Sequence, residues 1–189
     1  MEQRLYRGGF TLVELIASIA VLSILIAISL PGWQNLFEKV KSQQLQSQLR
    51  TLFHTARIHA VHQNSIVTLC PLDDTNTCSN DWNSAISVFL DPDNSRQLLA
   101  PELLLLVQKP LKNGTLRASS AGINERRYFQ YNPDGTVRGT IGHLIWCPNS
   151  QDARIAFQLR LNFGGRIRWA EDESGDGIAQ MANGSPISC

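Results

Sequence analysis

Four arginines close to the C-terminus are the side chains of this sequence best suited to bind a ligand. Two of them lie in the pattern Gly165-Arg166-Ile167-Arg168, and Arg154 and Arg160 lie shortly before it. Guanidinium groups donate charge-assisted hydrogen bonds to phosphate oxygens, often two at a time. If they share one face, these arginines predict a site for a phosphate backbone, with binding that depends on salt and not on base sequence.

The alternation of polar and apolar residues indicates how the arginines are arranged. Residues 154–162 and 166–170 both alternate with period 2, as the two strands of a hairpin do. A two-residue turn between them would mix the polar and apolar faces. A three-residue loop over 163–165 instead sets Arg160 opposite Arg168 and gives its last glycine the left-handed position that such loops need. The solvent face is then predicted to carry Arg154, Arg160, Arg166 and Arg168.

Two interpretations of this arginine face stay open. Like charges directly opposite each other destabilise a hairpin, so an anionic partner such as DNA would compensate them. Alternatively, the charges protect an edge hairpin against pairing with other strands. The acidic run over 171–176 follows the hairpin directly and would repel DNA if it folded back over the arginines.

Other chemistries find little support in the sequence. There is no phosphate loop, no G-x-S-x-G and no His-Glu-x-x-His motif, so we predict no enzyme. The segment 172–177 resembles half of a calcium loop, but Asn183 stands where the twelfth-position carboxylate belongs. His59 and His62 have a spacing that permits a shared metal, yet they belong to a polar helix face. We therefore predict no metal and no cofactor.

The N-terminal region contains a long apolar stretch. Between Phe10 and Leu30 the only ionisable residue is Glu14, and a helix of that length spans roughly 30 Å, the thickness of a bilayer core. Arg4 and Arg7 precede it, which predicts a cytoplasmic N-terminus and an exported remainder. A carboxylate inside an apolar helix needs a partner, and an α-amino group created by cleavage after Gly9 would supply one on a neighbouring copy.

Beyond the apolar stretch the periodicity indicates one helix and then a β-rich head. An apolar stripe from Leu45 to Ala60 has helical spacing, which predicts that this half of the helix lies on a sheet. After Asn64 the period changes to 2, so the fold class is α+β with antiparallel sheets. The predicted strands are Ile66–Cys70, Ile86–Leu90, Leu103–Gln108, Thr115–Ala118, Tyr128–Tyr131, His143–Cys147, Arg154–Asn162 and Arg166–Ala170. The predicted divisions are a leader over 1–9, a transmembrane half-helix over 10–31, an amphipathic half-helix over 32–63 and the head over 64–189.

Four cysteines lie in the predicted exported head, where disulfides persist. Three pairings are open, and the sequence does not choose between them. We favour Cys70–Cys78, which closes a short loop, and Cys147–Cys189, which holds the C-terminal tail on a strand.

Charge is segregated along the chain although the net charge is only +1. The block over 109–169 contains ten basic and three acidic residues, a difference of +7. The block over 70–108 has one basic and six acidic residues, and the segment after 169 has four acidic and no basic ones. This segregation favours an anionic partner for the middle block.

The segment Arg7-Gly8-Gly9-Phe10-Thr11-Leu12-Val13-Glu14-Leu15, with the apolar run up to Pro31, resembles the class III signal of type IV pilins and type II secretion pseudopilins. The resemblance implies that a prepilin peptidase cuts between Gly9 and Phe10 and methylates the new amine. It also implies that Glu14 guides subunit docking and that Pro31 lies at a helix kink.

Two further stretches are similar to minor pilins of the FimT/GspH type. The first runs from Val67 through Trp82 to Asn94, and the second is the Gly-Arg-x-Arg pattern at 165–168. The resemblance implies a pilin-like fold and DNA uptake during natural transformation, with Arg166 and Arg168 in contact with DNA.

The expected protein is a minor type IV pilin. It would span the inner membrane once with its head in the periplasm, reach the cell surface in the pilus, and have other pilins, the peptidase and DNA as partners. The alternative is a purely structural role, as a GspH-type pseudopilin of type II secretion or as a priming minor pilin.

Overall fold

The computed structural model describes residues 11–109, 113–121, 124–139 and 141–189, with backbone alone at 28–32, 34, 35, 121 and 124. The predicted leader over 1–9 and the predicted cut between Gly9 and Phe10 lie outside the described residues. The chain divides into two units, one up to Phe37 and one over Glu38–Cys189.

The helix α1 runs over Leu12–His62 and contributes to both units. At its start, the Thr11 hydroxyl accepts a hydrogen bond from the Glu14 backbone N–H at 3.3 Å, and a Glu14 carboxylate oxygen accepts one from the Thr11 N–H at 3.4 Å. This reciprocal pair satisfies two backbone donors that a helix start leaves free. Glu14 therefore caps α1 in this chain, and its role in docking stays a prediction, as does a kink at Pro31.

The first unit exposes large apolar side chains along the helix between Leu12 and Ile26. The exposed fraction is 73% for Leu12 and 58% for Ile26. Within the described residues, no helix meets the length and apolarity needed to cross a bilayer. The membrane span predicted over 10–31 stays a prediction.

The second unit, called the head below, contains all of the buried residues in the described part of the chain. The predicted stripe on α1 is confirmed, since Leu49, Ala56 and Ala60 have no exposed surface and Leu45 has 5%. Burial of such a stripe against sheets contributes about 1.5–3 kcal/mol for each large apolar side chain. With its own core, the head is expected to fold without the first unit.

In the described part of the head ten strands form the sheets, all with antiparallel pairing. The strands are β1 Val67–Pro71, β2 Ile86–Leu90, β3 Leu104–Gln108, β4 Gly114–Ala118, β5 Ser120–Ala121, β6 Asn124–Glu125, β7 Phe129–Tyr131, β8 Gly142–Pro148, β9 Phe157–Leu161 and β10 Ile167–Trp169. One four-stranded sheet has the order β3-β2-β1-β7, the other has the order β10-β9-β8-β4, and β5 pairs with β6. A 3₁₀ turn at Pro101–Leu103 precedes β3.

The eight predicted strands are present, with differences at their ends. Only β5 and β6 were not predicted, because two residues each are too few to show a period. The largest difference is at β9, which begins at Phe157 and not at Arg154. Arg154 lies instead in a turn, where its backbone N–H donates to the Asp152 carboxylate at 3.0 Å.

The alternation over 154–162 that places Arg160 on the solvent face also predicts an exposed Gln158, and this is wrong, since Gln158 is only 1% exposed. The C-terminal tail covers this face, where Ala156, Cys147 and Ile187 form a small apolar cluster with residues of the segment 178–189. The disulfide Cys147–Cys189 fixes the end of the tail to β8. That disulfide and Cys70–Cys78 are the two pairings that we favoured, and both are confirmed.

A buried carboxylate joins the strands of the first sheet. Asp91 is 2% exposed and accepts hydrogen bonds from the Thr68 hydroxyl at 2.7 Å and the Gln130 amide at 3.2 Å. It also accepts from the backbone N–H groups of Ser95 and Arg96 in the turn after β2. Because a buried carboxylate needs such partners, Asp91 fixes the turn onto β1 and β7.

Candidate nucleic-acid interface

The arginine hairpin of β9 and β10 has the predicted register. Arg160 is opposite Arg168, and the loop over 163–165 closes with a hydrogen bond from the Gly165 N–H to the Asn162 carbonyl at 3.0 Å. Gly165 has a φ of +74°, the left-handed conformation that the loop requires. Since β10 is an edge strand, the hairpin presents its arginines at the border of the sheet.

The hairpin loop is fixed to the rest of the head by backbone contacts. Gly165 is buried, and a Cβ at this position would overlap the carbonyl oxygen of Gly135. The Tyr131 hydroxyl donates to the Gly165 carbonyl at 3.3 Å, and the Val137 N–H donates to the Phe163 carbonyl at 3.0 Å. Gly165, the glycine of the Gly-Arg-x-Arg pattern, is therefore needed for two reasons. It adopts the left-handed backbone conformation, and it lets the hairpin loop approach the loop that contains Gly135.

Two clefts flank the hairpin. The first cleft has a volume of about 420 Å³ and contains Arg160 and Arg168 together with Glu171 and Glu173. The acidic segment after β10 thus begins beside these two arginines, and the charges that line the first cleft sum to zero. Its other lining residues are Ile141, Leu161, Asn162 and Trp169.

The second cleft has a volume of about 280 Å³ and joins the start of β10 to α1. Arg166 lines it with Arg50, His54 and Arg57, and its other lining residues are Phe53, Tyr131, Gly165 and Ile167. The Arg57 Nε donates to the Gly135 carbonyl at 3.0 Å, and the Arg50 guanidinium carbon lies 5.9 Å from the centre of the Trp169 ring.

The helix arginines of the second cleft were not predicted. Positions 50, 54 and 57 have the i, i+4, i+7 spacing of one helix face, so the sequence does show that they are neighbours on α1. It gives no sign that this face borders the arginine hairpin, because that depends on how α1 packs.

Arg154 does not extend the arginine face of the hairpin, contrary to the prediction. It forms a bidentate pair with Asp152 through Nε at 3.0 Å and a terminal nitrogen at 2.8 Å. The hydrogen bonds from Arg154 hold the pKa of the Asp152 carboxyl below its usual value. This is the only ion pair found in the described part of the chain, so Arg160, Arg166 and Arg168 have none there.

Arg126 is buried and does not belong to the exposed arginine face of the hairpin. It is 5% exposed and donates to the Ser119 hydroxyl and the Ile141 carbonyl, and its guanidinium lies 4.9 Å from the Phe129 ring centre. Burial lowers its pKa from the usual arginine value. Burial and the nearby charges of Arg126 and Arg160 likewise lower the pKa of His143 on β8.

The acidic segment after β10 forms its own turn. The Asp172 carboxylate accepts hydrogen bonds from the backbone N–H groups of Gly177 and Gly175, both at 2.7 Å. These bonds, the one from Gly177 first, lower the pKa of Asp172. Across the described ranges no three His, Cys, Asp or Glu side chains are grouped so that they could hold a metal ion.

The comparisons with known proteins agree with this architecture. The family model for the type II transport protein GspH matches residues 46–165, more than half of the chain, and the model for the prokaryotic N-terminal methylation motif matches residues 4–30. No curated protein matches the chain significantly.

Among solved structures, the chain resembles the type IV minor pilin FimU of Pseudomonas aeruginosa. One FimU crystal form has a TM-score of 0.51 at 20% identity over 68% of this chain and 92% of FimU. A second form has a TM-score of 0.50 at 19% identity over 82% of this chain and 97% of FimU. The minor pseudopilin EpsH of the Vibrio cholerae type 2 secretion system matches with a TM-score of 0.42 at 14% identity, over 69% of this chain and 94% of EpsH. At these identities the FimU structures show that the fold is shared.

Proposed function

Because the chain belongs to the GspH family of minor pilins and pseudopilins, we propose that it is a minor type IV pilin that binds DNA without sequence preference for uptake in natural transformation. The observation that carries the proposal is the arginine hairpin. Arg160 on β9 lies opposite Arg168 on the edge strand β10, and Arg166 directly precedes β10. None of the three has an ion pair among the described residues. Opposed like charges of this kind favour a polyanion.

The expected binding is electrostatic and weak for one subunit. Contacts to phosphates release counterions, so affinity falls steeply with salt and varies little with base sequence. Family membership implies assembly with other pilins in a filament, and many such subunits on one fibre would add their contacts by avidity. No catalytic step and no cofactor is part of this role.

The match of residues 4–30 to the methylation motif implies a membrane-anchored pilin and supports a proposal about processing and location. We propose that a prepilin peptidase cleaves between Gly9 and Phe10, that Glu14 guides docking, and that Pro31 bends the helix. Before assembly the subunit would cross the inner membrane once with its head in the periplasm, and in the pilus it would reach the cell surface.

The test is DNA binding by the head with Arg166→Gln and Arg168→Gln together. Each phosphate contact contributes about 0.9 to the slope of log affinity against log salt, which is about fivefold in affinity near 0.15 M salt. Loss of two contacts should therefore lower affinity about thirtyfold and reduce the slope by about 1.8. The charge-matched control is Lys39→Gln with Lys41→Gln, two exposed residues of α1 that line neither cleft. Equal affinities for the two double variants would refute DNA binding by the hairpin.

A structural role remains the second candidate, and one observation favours it. Glu171 and Glu173 lie in the same cleft as Arg160 and Arg168, so the chain itself can partly neutralise these arginines. A pseudopilin of type II secretion or a priming minor pilin would need no more than this. Absence of any salt-dependent DNA binding by the wild-type head would favour this candidate.

A further inference from the structure

We propose that the second cleft is a phosphate-binding site in which Arg50 and Arg57 of α1 act together with Arg166 of the hairpin. The inference deepens the proposed function and rests on it where the phosphate belongs to a DNA backbone. It assigns the two arginines of the Gly-Arg-x-Arg pattern to two different clefts.

The charge of the lining distinguishes the two clefts. Arg50, Arg57 and Arg166 give the second cleft a formal charge of +3, and no carboxylate lines it. In the first cleft two arginines are balanced by two glutamates. The electrostatic free energy of binding an anion is therefore more favourable in the second cleft than in the first, because no carboxylate of the protein competes for its arginines.

The two helix arginines of the second cleft, Arg50 and Arg57, are restrained before any ligand arrives. Arg57 is half-buried, and its Nε is used by the Gly135 carbonyl, while its terminal nitrogens make no hydrogen bond within the described residues. Arg50 lies against the Trp169 ring, a contact that restrains a guanidinium without consuming its hydrogen-bond donors. Guanidinium donors that are fixed and unused favour a ligand with several acceptor oxygens, as a phosphate group has.

The size of the site suits a solvated phosphate group. The cleft volume of about 280 Å³ is several times the roughly 30 Å³ that one water molecule occupies. Its apolar wall includes Phe53 and Ile167, which lowers the local dielectric and strengthens the pairing of an anion with the arginines.

The first experiment uses the full chain in non-ionic detergent with a fluorescently labelled 12-base-pair duplex. Arg50→Gln should lower affinity about fivefold near 0.15 M salt and reduce the salt slope by about 0.9, the effect of one phosphate contact. Lys41→Gln removes the same charge from an exposed position of the same helix and should leave both quantities unchanged. Arg57 is not a suitable probe, because its replacement would also remove the bond to Gly135. The same loss of affinity in both variants would overturn the proposal.

The second experiment separates a free phosphate from a backbone phosphate. The thermal unfolding midpoint of the wild type and of Arg50→Gln is compared in inorganic phosphate and in chloride at equal ionic strength. Phosphate stabilises folded proteins in general because it is excluded from their surfaces, so the difference between the two proteins is decisive. If phosphate raises the midpoint of the wild type more than that of Arg50→Gln, the cleft binds the free anion, and this result stands even if the protein binds no DNA. If Arg50→Gln weakens duplex binding without any phosphate-specific stabilisation, the ligand is the polymer backbone. If neither measurement responds to Arg50→Gln while Arg166→Gln with Arg168→Gln still weakens duplex binding, the cleft proposal fails and DNA binding by the hairpin stands.

Discussion

Replacement of Gly165 by alanine should destabilise the head by about 3 kcal/mol. An alanine at a φ of +74° costs about 1 kcal/mol. Its Cβ would also overlap the backbone oxygen of Gly135, which no side-chain rotation can relieve. When the two loops separate, the Tyr131–Gly165 and Arg57–Gly135 hydrogen bonds are lost, at about 1 kcal/mol each.

The measurement is thermal and urea unfolding of the head with its disulfides intact. For a domain of this size, 1 kcal/mol shifts the midpoint by about 2–4 °C, so the expected decrease is about 6–12 °C. DNA affinity of the folded fraction should also fall, because the loop positions both Arg166 and Arg168.

The adjacent glycine provides the control. Gly164 is exposed, and a Cβ on it would have Asn162 Oδ1 as its nearest neighbour at 3.6 Å, an ordinary contact. Gly164→Ala should be close to neutral, since it also reduces the freedom of the unfolded chain. If the two alanine variants unfold within about 0.5 kcal/mol of each other, the argument from loop packing is refuted.

Three other perturbations test the head. Replacing Glu171 and Glu173 by glutamine should raise DNA affinity severalfold, since two carboxylates leave the first cleft, and unchanged affinity in a filter-binding assay would contradict this. Loss of the Cys147–Cys189 disulfide, which closes a loop with a separation of 42 residues, should cost about 4 kcal/mol by loop entropy, measured by urea unfolding of the double serine variant. The folded-state pKa of His143 is lowered, so its contribution to stability is present above the usual pKa of 6.5 and is lost as pH falls below it. The urea midpoint should therefore drop between pH 7 and 5, and less so in His143→Gln; an equal drop in both would argue against it.

The register of the arginine hairpin could be predicted because it depends on local information. Alternation fixes the face of each residue, and the loop length that keeps Arg160 and Arg168 on one face also puts Gly165 in its left-handed position. The strand β2 was predicted at its observed bounds, Ile86–Leu90, for the same reason. This reasoning fails where a later segment of the chain packs on the polar face of a strand. The C-terminal tail does this at Gln158, which is therefore buried.

The sequence by itself determined the family signals at both ends, the α+β class, the apolar stripe of α1 and the paired arginines. Each of these depends only on the periodicity or spacing of residues that are close together in the chain. Only the tertiary structure decided which of three disulfide pairings forms, that Arg154 pairs with Asp152, and that Arg50 and Arg57 lie beside Arg166. These contacts join residues up to 116 positions apart, as for Arg50 and Arg166, and the packing of α1 on the sheets brings the last set together. Periodicity indicates on which face of a helix or strand a side chain lies, and tertiary packing decides which residues contact that face.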